Sequence, residues 1–105
     1  MPPAILDARL QIQIELALDA DCACERTRAQ QEARAQRLGL VGAEVDAARA
    51  RTSFDVRAAA AVDLACAMAS GDDERICATE RLALAVGFAP AELEELRILV
   101  VRLLA

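Results

Sequence analysis

Leu10-Gln11-Ile12-Gln13-Ile14-Glu15-Leu16-Ala17-Leu18 is the stretch on which the fold turns. Leu10, Ile12, Ile14, Leu16 and Leu18 alternate with Gln11, Gln13, Glu15 and Asp19, as the residues of a half-buried strand would. A strand needs a partner, because alone it leaves its backbone N–H and C=O groups unpaired. Nothing else in the chain reads as that partner. Residues 6 to 20 are therefore expected to be a helix, apolar around most of its circumference, suited to the centre of a small bundle or to a subunit interface.

The rest of the chain punctuates itself into helices. A second is expected from about Cys22 to Leu38, with Asp21 as N-cap and Gly39 as the stop. A short third runs from roughly Gly42 to Arg51, with Val45 and Ala48 on one side, and is broken at Thr52-Ser53. The fourth, from about Asp55 to Ala69, repeats Val62, Leu64, Ala65 and Met68 and ends at Ser70-Gly71. Asp72 or Asp73 caps a fifth that reaches Val86 and stops at Gly87. Pro90 opens a sixth, with Glu92, Glu94 and Glu95 early and Arg102 late, matching the helix dipole. The expected class is all-α, a single-domain orthogonal bundle of about six helices over residues 1–105. No solenoid repeat, linker or low-complexity tract interrupts it.

Composition narrows the functions. The 105 residues suffice for one core, but much of the 56 % apolar content is alanine, which buries little area per residue, so added stability from self-association is expected. Phe54 and Phe88 are the only aromatic residues, every basic residue is Arg, and there is no His. Stacking on bases or large planar cofactors is disfavoured, and a net charge of −5 opposes a nucleic-acid footprint. No membrane span is expected, since Arg97 and Arg102 interrupt the most apolar tail, and the opening MPPAILDARLQ lacks the pattern of a secretory signal. A cytoplasmic protein with free thiols at Cys22, Cys24, Cys66 and Cys77 is the expectation. No metal site is expected either, because those four positions do not form two short ligand pairs.

Chemistry concentrates at 21–40, DCACERTRAQQEARAQRLGL. With Asp21 as N-cap, Cys22 and Cys24 fall in the first helical turn, where free N–H groups and the dipole favour a thiolate. Arg28, four residues beyond Cys24, would lower the thiol pKa further. Against this, free cysteine usually packs as a small hydrophobe. Cys66 and Cys77, each among apolar neighbours, read as structural.

Several segments carry a family resemblance in order and spacing. They are Leu6-Asp7-Ala8-Arg9, the run Ala33 to Ala50, Thr52 to Arg57, Val62-Asp63-Leu64-Ala65, and Gly87-Phe88-Ala89-Pro90-Ala91-Glu92-Leu93. Together they resemble the alkyl-hydroperoxidase-D-like, or carboxymuconolactone decarboxylase, family over nearly the whole chain. The resemblance implies a C-x-x-C-x-x-x-H motif opening the second helix and a glutamate on the first. Two cysteines would cycle between dithiol and disulfide while acid and imidazole relay protons. Counted back from Gly39, the motif falls on Cys24, Thr27 and Gln31, so one of three is kept; the glutamate falls on Ile12, with Glu15 one turn away. Starting from Cys22 instead, or placing Cys24 second, restores no more of it.

Glutamine cannot shuttle protons near neutral pH, and Cys22 and Cys24, two apart on a helix, would point about 200° away from each other, against disulfide geometry. The resemblance thus implies a homo-oligomer (dimer, trimer or hexamer) whose redox site is largely lost. The alternative is a residual thiol peroxidase or disulfide reductase using Cys24 with Cys22, supported by Arg28, Glu15, Thr27 and Gln31, with no cofactor.

Overall fold

The computed structural model describes residues 6–21 and 24–104. It is all-helical: α1 Ala8–Leu18, α2 Glu25–Arg37, α3 Gly42–Arg49, α4 Val56–Ser70, α5 Asp73–Ala85 and α6 Pro90–Leu104. Among the described residues no helix is long and apolar enough to cross a membrane.

The strand-like alternation in α1 has a helical explanation. Ile12 and Leu16, one turn apart, face a small core made with Ala35, Leu40, Val45 and Ala48 of the α2–α3 side. Ile14 and Ala17 face the opposite way, into the larger core with α4, Phe88 and α6, and Leu10 and Leu18 pack against it. A helix buried on two opposite faces shows apolar residues at close to every second position, which is what a strand also shows. Asp7 fixes its start by accepting from the Leu10 N–H at 2.8 Å.

The central element of the larger core is α4, which packs on α1, α5 and α6 and buries Ala58, Ala60, Ala61, Val62, Leu64, Ala65, Cys66 and Ala67. Its many alanines bring neighbouring helices close at little side-chain cost. Asp55 caps it through the Ala58 N–H, and Gly71, at φ 73°, ends it in the left-handed region. The α2–α3 turn is set by Gly39 at φ 87°: the Leu40 N–H donates to the Ala35 carbonyl at 2.9 Å and the Gly39 N–H to Gln36 at 3.0 Å. This turn drops Leu40 into the smaller core.

α2 itself is poorly anchored by apolar contact. Only Gln31 and Ala35 are buried along its length. What holds it against α1 is mostly polar, through Gln31 to Asp19 and Arg34 to Glu15.

Candidate functional site

α2 begins later than the sequence suggests. Cys24 is the N-cap, in extended backbone at φ −74° and ψ 107°, and the first turn closes with the Arg28 N–H donating to the Cys24 carbonyl at 3.1 Å. Asp21 does not cap the helix; its carboxylate instead accepts from Arg51 at 2.8 Å, drawing it toward the end of α3. Cys22 lies outside the described residues, and with it the Cys22–Cys24 pairing.

Cys24 is an exposed free thiol. Its pKa is lowered chiefly by the Thr27 hydroxyl, then by the backbone N–H groups of Thr27 and Arg26, all of which stabilise the thiolate. The neutral thiol makes no capping hydrogen bond. Activation therefore comes from donors of the first turn, whereas sequence spacing points to the Arg28 guanidinium; Arg28 is exposed, and its side chain makes no hydrogen bond or ion pair among the described residues. Cys66 is buried in α4 and its thiol is pushed up by that burial. Cys77 is exposed on α5, contrary to the structural role its apolar neighbours suggest, because Ile76 alone of that trio turns toward the core.

Glu15, Thr27 and Gln31 do come together, lining a cavity of about 330 Å³ between α1 and α2 with Arg34. Both Glu15 oxygens are engaged by Arg34, at 3.1 and 3.0 Å, a bidentate fork. Gln31, 3 % exposed, donates through Nε2 to the Asp19 carboxylate at 2.9 Å. Glu15 on α1 and Asp19 at its C-cap are one turn apart, and Gln31 and Arg34 nearly one turn apart on α2, so the antiparallel helices are joined by a two-rung polar seam. Sequence reasoning missed Asp19 and Arg34. The signal available was the acidic pair at i, i+4 facing a polar and basic pair at i, i+3, with little apolar surface on α2 to seat it otherwise.

The arrangement has limited chemical scope. The exposed Cys24 thiol can, when ionised, react with electrophiles, but Thr27, at the position the resemblance gives to a second cysteine, carries a hydroxyl, which cannot form a disulfide. Glu15 could act as a base only by giving up its fork to Arg34, and Gln31 cannot exchange a proton at neutral pH. Comparison with protein families, with curated proteins and with solved structures finds no match to this chain.

Proposed function

We propose that the chain is a homo-oligomeric helical scaffold of alkyl-hydroperoxidase-D-like type, cytoplasmic, in which structural polar contacts have replaced the redox relay and which works through binding. The observation that carries this reading is the seam itself: Gln31, at the position the resemblance gives to the imidazole, is tied to Asp19, and Glu15, the carboxylate one turn from the position it gives to the acid, is tied to Arg34. The helix order is in keeping with it, with a Gly-Leu turn after α2, a short α3, Asp55 opening α4 and Pro90 opening α6. Self-association is supported by large apolar residues left outside, among them Phe54, Val56, Leu82, Ile98 and Val101.

A second reading has a specific observation behind it. Exposure and a lowered pKa at Cys24 favour a residual thiol peroxidase, in which the thiolate attacks the peroxide O–O bond, becomes a sulfenic acid and releases an alcohol. Peroxide consumption with dithiothreitol as reductant separates the two. The scaffold reading expects wild type and Cys24→Ala to be equally slow, at the rate of an ordinary thiol. Rapid turnover lost in Cys24→Ala and kept in Cys66→Ala and Cys77→Ala would replace it with the peroxidase.

A further inference from the structure

α6 is apolar on two sides. Leu96, Leu99 and Val100 are buried and Leu103 packs behind them. On the opposite side Ile98 is 58 % and Val101 65 % exposed. At 3.6 residues per turn, Glu94, Ile98, Val101 and Arg102 occupy an arc of about 100° centred away from the core. The charges on this arc are arranged with a particular symmetry. Glu94 lies four residues before Ile98 and Arg102 four residues after it. Arg102 makes no ion pair or hydrogen bond among the described residues, and Glu94 meets only Arg97, at a long 3.4 Å.

We propose that this face of α6 docks on the same face of a second copy of the chain, antiparallel and two-fold symmetric about Ile98. That pairing sets Ile98 against Ile98 of the other copy, with Val101 on its flank, and brings each Glu94 to the level of the other copy's Arg102, twice over. A closed two-fold contact must be self-complementary, and a stripe with acid at one end and base at the other meets that demand only when antiparallel. Parallel packing would oppose Arg102 to Arg102 and Glu94 to Glu94, like against like. One exposed helix face per chain is at the small end of specific interfaces, so the dimer is a concentration-dependent equilibrium rather than a permanent assembly. The proposal rests on the self-association part of the scaffold reading and names its surface.

Sedimentation velocity of the full chain, from micromolar to millimolar, tests it with the single variants Glu94→Arg and Arg102→Glu. Both residues are exposed, and circular dichroism of each variant checks that the helices are kept. Wild type is expected to show a monomer–dimer equilibrium, and each variant alone to dimerise at least tenfold more weakly. The two variants mixed in equal amounts are expected to regain wild-type affinity, because one chain then carries two arginines and the other two glutamates on the arc. A wild type that stays monomeric at millimolar concentration would overturn both this contact and the self-association reading. An oligomer indifferent to both variants, or a mixture no tighter than the variants alone, would overturn the α6 contact while leaving self-association through another face standing.

Discussion

Replacing Gln31 by alanine tests whether the α1–α2 seam carries load. The side chain is 3 % exposed and donates at 2.9 Å to an ionised acceptor, Asp19, which is only partly covered. A hydrogen bond to a charged group is worth about 1.5–3 kcal/mol, but water can reach Asp19 and recover part of that, so the net loss is about 1–2 kcal/mol. For a domain of this size this lowers the melting temperature by about 5–10 °C. Urea unfolding followed by circular dichroism measures it. Gln31→Glu, nearly the same shape, sharpens the test by placing a second carboxylate against Asp19. Like charge raises the pKa of the introduced carboxyl in the folded state above its unfolded value of about 4.3. The folded state then holds the proton more tightly, so the deficit of this variant is smallest below about pH 4.3, where that carboxyl is protonated in both states. It grows as the pH rises through the folded pKa. A Gln31→Ala protein within about 0.3 kcal/mol of wild type, or a Gln31→Glu deficit independent of pH, would refute the seam as the anchor of α2; the first lies within the range of an ordinary surface change.

Two other outcomes follow from local geometry. The alkylation rate of Cys24 against pH is expected to show a midpoint below that of a free thiol, moved upward by Thr27→Val and left in place by Arg28→Ala. The reverse pattern would return the activation to Arg28. Gly39→Ala is expected to cost about 1–2 kcal/mol in urea unfolding, since φ is 87° and a Cβ would also sit 3.3 Å from an Arg9 nitrogen. No loss would mean that the α2–α3 turn relaxes freely.

How far the sequence could be read depended on how much apolar surface each element carried. α3 to α6 have clear stops, Thr52-Ser53, Gly71 and Gly87, and clear starts at Asp55, Asp72 and Pro90, so their limits are legible within a residue or two. α1 was ambiguous for a physical reason: burial on two opposite faces erases the helical period that a one-sided helix would display. The start of α2 was misplaced because Asp21 is a good cap by type, yet its carboxylate is engaged by Arg51, thirty residues away in sequence. That kind of distant partner leaves no local mark. The same is true of the candidate site. Counting from Gly39 brought out Cys24, Thr27 and Gln31, but not that Glu15 and Gln31 are committed to Arg34 and Asp19. A committed carboxylate and a free one look alike in a sequence.

The most direct measurement of the central claim is a gain of function. Thr27→Cys places a thiol three residues after the N-cap cysteine, at a position whose present hydroxyl lowers the Cys24 pKa, and Gln31→His adds on the same helix the imidazole that the proposed relay calls for. With dithiothreitol as reductant, the double variant is assayed for peroxide turnover, in which the dithiol becomes a disulfide and the peroxide becomes an alcohol and water. A scaffold that has lost its chemistry through these two positions predicts a reducible bond between residues 24 and 27 and turnover well above wild type. A folded double variant that forms no such bond, or forms it without any gain in turnover, would contradict the account.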